Sequence, residues 1–276
     1  MPQGAPAPKK LEVAGTNIFA RGDGERQKLV YGMNVASERP LAMVLPLPVP
    51  AGADEDAVRF IDLRGYPKFF VDLNECFPVV EAPLGRGGGG GGGGGVIKTT
   101  LKVHDAGDFE ASFVPTLADI HRLDERFVLA PPIWTALSKY ADWGFAVFQL
   151  RDVAAKRSRL RALFGLPRKT IHPMAIDFPR RHRDRLFFPT VHVHGEELGE
   201  HEAFDHLLFW QASAPARFEP ESRPSFGDGE STVEAQVHVD MERARGLVEG
   251  SRTVHRRQLR GRLPNRDHWV FTGDPA

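Results

Sequence analysis

The run Glu12-Val-Ala-Gly-Thr-Asn-Ile-Phe-Ala20, the break Arg21-Gly-Asp-Gly-Glu25 and the run Lys28-Leu-Val-Tyr-Gly-Met-Asn-Val-Ala36 decide the reading of this chain. Two β-prone segments flank an Asp23-Gly24 pair. Asp-Gly is a strong hairpin signal because glycine accepts the positive φ that a tight turn demands. The pattern continues outward. Leu41–Val49 reads as a third strand that must end, bulge or lie at an edge near Pro46, since proline donates nothing to a ladder. Val58–Leu63, Val96–His104 and Phe109–Val114 follow, and Trp143–Leu150 is apolar enough for a central strand. Thr170–Phe178, Leu186–His194, Ala203–Gln211 and Val233–Asp240 complete the set.

Helical signals are fewer. Tyr66–Phe77 places Phe70, Leu73 and Phe77 on one stripe, with Cys76 beside it as a buried small side chain. Pro131–Asp142 and Met241–Val248 are further helix candidates, and Ala154–Phe164 reads as a basic helix or loop. The intervals between strands are mostly too short for parallel crossovers. The expected class is therefore α+β: mostly antiparallel β-sheet, sandwich-like, with a few packed short helices.

Residues 1–10 read as a disordered Pro/Ala-rich arm and 11–276 as one domain. The unbroken glycines Gly87–Gly95 form a flexible surface loop, spanning roughly 15–18 Å as a coil. With 41% hydrophobic and 26% charged residues, the 276-residue chain has enough apolar material for a sizeable core. Zero formal net charge gives no global attraction to nucleic acid or anionic lipid. One cysteine excludes an intramolecular disulfide. With no apolar signal segment and no apolar run of bilayer length, a cytoplasmic protein with no membrane partner is expected.

Several motifs fail on their chemistry. Gly85–Gly90 fits G-x-G-x-x-G, but Val96-Ile-Lys-Thr-Thr100 beyond the run is β-like, whereas a dinucleotide site needs a helix N-terminus there. His201 and His206 lie five apart, not four, which on a helix is about 140° and on a strand opposite faces. They cannot bind zinc in the manner of H-E-x-x-H. Arg21-Gly22-Asp23 is a turn, and Asp105, Asp108 and Glu110 read as solvated groups around another.

One histidine pattern is coherent. His192 and His194 alternate with Val191 and Val193, so on a strand both imidazoles share a face. If this strand forms a hairpin with Ala203–Gln211 about Leu198, His192 lies opposite Phe204, His194 opposite Glu202, and His206 diagonal to His192. Such a trio can hold Zn²⁺ or another divalent transition metal, with Glu202, or Asp205 in a shifted register, as base. The competing reading is a solvated or hydrogen-bonded histidine face. His172, His238 and Asp240 are possible additions.

Arginines form the second pattern. Arg180, Arg181, Arg183 and Arg185 make one patch. Arg252, Arg256, Arg257, Arg260, Arg262 and Arg266 make another in a basic tail, of which Arg252, Arg256, Arg257 and Arg260 are the candidate anion site. Acidic neighbours such as Asp184 and Asp267, and overall neutrality, argue against a dedicated nucleic-acid binder.

Leu41-Ala-Met-Val-Leu-Pro-Leu-Pro-Val49, Tyr140-Ala-Asp-Trp-Gly-Phe-Ala-Val-Phe-Gln-Leu150 and His172-Pro-Met-Ala-Ile-Asp-Phe178 resemble an uncharacterised bacterial family, a domain of unknown function, in which such segments recur in this order. The chain departs from it in lacking the usual export signal, and the family implies no chemistry. The leading expectation is thus a non-catalytic binding or assembly protein with a protein partner, itself or another, and no cofactor. The rivals are a metal-dependent hydrolase or lyase, and an anion- or nucleic-acid-binding module.

Overall fold

The structure, a computed structural model, describes residues 12–36, 42–77, 103–105, 109–125, 127, 137–150, 169–170, 172–192, 199–212, 216–219 and 228–272. The arm 1–10, the glycine run 87–95 and the segment 154–164 lie outside them.

The founding hairpin is present. β1 (Glu12–Asp23) and β2 (Arg26–Ala36) pair from Asp23↔Arg26 outward. Gly24 takes φ 57° at the first of the two turn positions, where a side chain would be strained. β3 (Ala42–Leu47) stops before Pro48 and sits at the edge of its sheet, as its prolines require. Beyond it run β4 (Arg59–Ile61), β5 (Val103–Asp105), β6 (Phe109–Val114), β7 (Gly144–Leu150), β8 (Lys169–Thr170), β9 (Met174–Pro179) and β10 (Arg185–Phe188). The last five are β11 (His201–Gln211), β12 (Arg217–Glu219), β13 (Gly229–Glu230), β14 (His255–Pro264) and β15 (His268–Phe271). The α-helix among the described residues is α1 (Phe69–Glu75), and short 3-10 turns make up the other helical segments. The expected β-rich, mainly antiparallel chain with few helices is what is found. None of the described helices is long and apolar enough to cross a membrane.

The strands form three sheets. The largest runs β13-β14-β11-β1-β2-β9-β4, with β8 also on β2; the second runs β3-β7-β6-β5 and the third β10-β15-β12. Only β1 and β11 pair in parallel among the described strands. Period-two alternation gives the large sheet two buried faces. Ile18, Leu29, Ile176, Phe204 and Leu208 point to one side, against Leu47, Phe113 and Phe148 of the second sheet and Leu186, Phe188 and Val270 of the third. Phe19, Val30, Ala175 and Phe209 point to the other side, against Phe69 and Leu73 of α1 and Leu247 and Val254 of the 233–254 segment. Each wholly buried Phe contributes about 1.5–3 kcal/mol by leaving water. Cys76 is buried in this second layer, and burial pushes its thiol up to about 11, as suits a packing residue.

Four expectations are corrected. Val233–Asp240 is not a strand. Its amides are met by the neighbouring turn (Ala235 N to Arg252 O, 2.9 Å; Gln236 N to Gly250 O, 3.0 Å) and Ala235–Val237 is a 3-10 turn. His238 and Asp240 therefore share no strand face. Met241–Val248 is a run of turns, not a helix, because Arg245 and Gly246 take φ 51° and 72°. In the described part of 131–142, Ser138–Tyr140 is a 3-10 turn. The basic tail is β14, a ten-residue strand inside the large sheet between β13 and β11.

Tyr66 ties the second layer together. Its hydroxyl donates to Asp72 Oδ2 at 2.7 Å and accepts the Asp240 N–H at 2.8 Å. Burial and the adjacent Asp72 push the phenol well above its ordinary pKa. Tyr66→Phe is expected to lower unfolding free energy by about 1–2 kcal/mol in urea denaturation with the fold intact.

Candidate functional site

Two assemblies of polar side chains stand out. The first is the histidine cluster. The expected hairpin does not exist: β11 pairs with β1 and β14, and His192 lies on an irregular segment after β10. Yet the side chains meet as expected. His192 stacks on Phe204 (centroids 4.7 Å apart, 20° between planes), and its Nε2 is 3.0 Å from His206 Nε2. Side-chain clamps replace the missing ladder. Asn265 exchanges two hydrogen bonds with His192, accepting its N–H (2.8 Å) and donating to its carbonyl (2.7 Å). Asp267 accepts the Thr190 and Val191 amides (2.9 and 3.1 Å) and the Tyr140 hydroxyl.

The hydrogen bonds assign protons. The Asp205 N–H points at His206 Nδ1 (3.3 Å), so the His206 proton sits on Nε2 and is donated to His192 Nε2. Thr190 Oγ1 donates to Arg266 O (2.8 Å), so it accepts from His268 Nδ1 (2.7 Å). Burial, reinforced by His192 and His268, pushes His206 down to about 3. Burial, with Arg266 and Arg257 nearby, pushes His268 down to about 4. Burial lifts the Asp267 carboxyl above the usual range, against the pull of Tyr140 and the two amides. His192 and His206 are bonded to each other and packed on Phe204, while His268, bonded to Thr190, stacks on Phe218.

His194 lies outside the described residues. No three His, Cys, Asp or Glu side chains converge as metal ligands among the described ones. Glu202 shares a face of β11 with His206, but its carboxylate lies against Gly199, where a Cβ would come within 2.6 Å of Oε1. His172 is buried elsewhere, against Phe109.

The second assembly is an arginine-lined cleft of about 440 Å³ at the tip of the β1–β2 hairpin. The tail arginines do not converge with one another, because alternate residues of β14 face opposite ways. Arg256 covers Phe77 (4.2 Å) and donates to Asn74 (2.7 Å). Arg257 lies over Phe218 on the other face and pairs with Asp228 (3.4 Å). Arg260 is exposed opposite Asp205. Arg252 alone of the four lines the cleft, where it joins Arg21, Arg180 and Arg183.

These arginines differ in role. Arg21 clamps the 246–249 turn, donating to Leu247 O (3.0 Å), Gly246 O (2.8 Å) and Glu249 (3.3 Å). Arg180 lies flat on the hairpin and donates to Gly24 O; a Cβ at Gly22 would sit 2.7 Å from its Nη1. Arg183 pairs with Glu25 at the surface, both side chains at least half exposed. Arg252 is exposed, and its guanidinium makes no hydrogen bond or ion pair with the described residues. Asp23, the third carboxylate of the cleft, is held by Lys28 at 2.6 Å, which lowers its pKa. Four guanidinium groups thus face three carboxylates.

Sequence reading missed Arg21 and the union of the two arginine patches. The glycines that let Arg180 lie over the hairpin were visible, but only as turn residues.

No family model matches the chain, and no curated protein matches it. Among solved structures, a crystal structure of baculovirus P35 is similar at TM-score 0.45 and 9% identity, over 95% of this chain and 97% of that one.

Proposed function

We propose that the chain is a non-catalytic binding protein of the cytoplasm, a sandwich-like α+β fold that engages a partner protein by taking its acidic side chains into the cleft at the hairpin tip. The observation that carries this reading is the exposed Arg252, set beside Arg183 in a recess whose other cations are fixed in place. An exposed pair such as Arg183–Glu25 is worth no more than about 1 kcal/mol, so an incoming carboxylate can displace Glu25 at little cost. Arg252 then adds a charge that folding leaves available. The partly enclosed walls weaken solvent screening and strengthen both contacts. The contact of His192 with His206, with no three His, Cys, Asp or Glu side chains converging as metal ligands among the described residues, favours binding over the metal-hydrolase alternative. The resemblance to the uncharacterised bacterial family belongs to this reading and adds no chemistry.

The test is anisotropy of a labelled glutamate-rich peptide. Saturable binding that weakens with salt, and by about tenfold in Arg183→Ala/Arg252→Ala, supports the proposal. Equal affinity of the double variant overturns it. Displacement of the peptide by inorganic phosphate at similar affinity would point to a small anion as the ligand instead.

A further inference from the structure

The third sheet delivers the chain to the cleft. β15 and β10 run antiparallel with Phe271 opposite Arg185, and one step further the Thr272 N–H donates to Asp184 O at 2.9 Å. That bond fixes Thr272 against the sequence neighbour of Arg183, and Thr272 itself lines the cleft together with Arg183 and Arg252. The sequence continues Gly273-Asp274-Pro275-Ala276. A carboxylate therefore follows two residues after a wall of the recess. Two residues of extended chain reach about 7 Å.

The charges already in the cleft say what this acid can do there. Asp23 is held by Lys28, Glu25 by Arg183 and Glu249 by Arg21. Asp184, beside Arg183 in sequence, is committed to Arg185 at 2.7 Å. Four guanidinium groups line the recess against three carboxylates, and Arg252 makes no ion pair with the described residues. One further carboxylate balances the count. Asp274 is presented on a short tether, at an effective concentration in the millimolar range or above, which no dilute acid from solution matches. Pro275 restricts Asp274 to extended conformations, which lowers the cost of ordering it.

We infer that Asp274 is a built-in competitor for the cleft, its carboxylate pairing with Arg252 until an acidic partner displaces it. This rests on the reading of the cleft as a site for acidic side chains and adds the regulation of that site. The tail sets a threshold. A partner with a single exposed carboxylate gains little over Asp274, whereas one that brings clustered acids engages Arg183 and Arg252 together and wins.

Two measurements on the full chain test it. In anisotropy titrations at low salt, Asp274→Asn should bind the labelled glutamate-rich peptide about two- to fivefold more tightly than the unaltered chain, the range of one exposed ion pair. The gain should vanish when Arg252→Ala is present in both chains. Carbon-13 NMR should show the Asp274 carboxyl titrating below the ordinary aspartate value of about 3.9, and Arg252→Ala should return it there. Equal peptide affinity with and without Asp274→Asn would overturn the inference and leave the partner reading intact. Peptide binding to neither chain, with Asp274 still titrating low, would support the tail contact and overturn the partner reading. An ordinary Asp274 titration, indifferent to Arg252→Ala, would overturn the inference whatever the peptide does.

Discussion

Lowering the pH from 6.5 to 4 is expected to remove roughly 3 kcal/mol of stability for each of His206 and His268. Both are almost completely buried, at 3% and 5% exposure. Burial holds their folded pKa values near 3 and 4, against 6.5 for the unfolded side chain. A group with a depressed folded pKa binds fewer protons in the native state. Below 6.5 the unfolded chain takes up protons that the native chain refuses, so the stabilisation present at neutral pH drains away as acid is added. The window belongs to the histidines. The carboxylates with lowered pKa, among them Asp23, Asp119 and Asp184, lose their contribution only below the ordinary carboxylate range. Asp267, lifted above that range by burial, takes up its proton in the native chain before the unfolded one does, and so opposes the histidines' loss as acid is added. Against a typical domain stability of about 5–15 kcal/mol, the loss is large enough to bring acid unfolding into this interval. Urea midpoints measured every half unit of pH should fall steeply between 6.5 and 4. In His206→Gln/His268→Gln, which keeps hydrogen-bonding groups and removes both titrations, the profile should flatten. An unchanged slope in the double variant would contradict the neutral, buried assignment.

The second large effect is expected at Gln27. Its side chain is 1% exposed and bridges the large sheet to the third one: Nε2 donates to Phe187 O at 2.7 Å and Oε1 accepts the Phe187 N–H at 2.9 Å. The amide copies a strand neighbour, supplying β10 with the pair of bonds that a ladder would give. In Gln27→Leu both Phe187 backbone groups are left buried without partners, at about 1–3 kcal/mol apiece, partly offset by the more apolar side chain. A net loss of about 3 kcal/mol in urea denaturation is expected. A loss below about 1 kcal/mol would show that β10 is held by packing alone.

Gln27 also shows why part of the structure was legible in sequence and part was not. Alternation and turn chemistry are local, so the β1–β2 hairpin, the edge position of β3 and the central position of β7 could be read directly. Pairing between distant segments is not local. β11 was expected beside the segment holding His192 because the two are consecutive, whereas it pairs with β1 and β14. Three amide side chains act where ladders are missing: Gln27 on Phe187, Asn265 on His192, and Gln211 on Glu249, donating and accepting at 2.8 Å. A glutamine in a strand-like run gives no sign of such a role. The meeting of His192, Phe204 and His206 was anticipated, but the backbone route to it was wrong. Asn265 and Asp267, not a hairpin, bring His192 to β11. The 233–240 segment misled for the opposite reason. Its alternating apolar residues mimic a strand, while Gly250 and Arg252 offer its amides carbonyls in a turn. At the cleft, composition showed arginines in two clusters. Only the fold places Arg180 and Arg183, at the end of β9, beside Arg252, and Arg21 among them.

The central claim is that the hairpin-tip cleft is where the partner's acidic side chains bind. Amide chemical-shift mapping during titration with the glutamate-rich peptide tests it most directly. The account predicts saturable shifts centred on Gly22, Gly24, Arg183, Arg252 and Thr272, with the amides around His192 and on β14 beyond Arg257 unmoved. Shifts centred instead on Arg260 and Arg262, or none up to millimolar peptide, would contradict it.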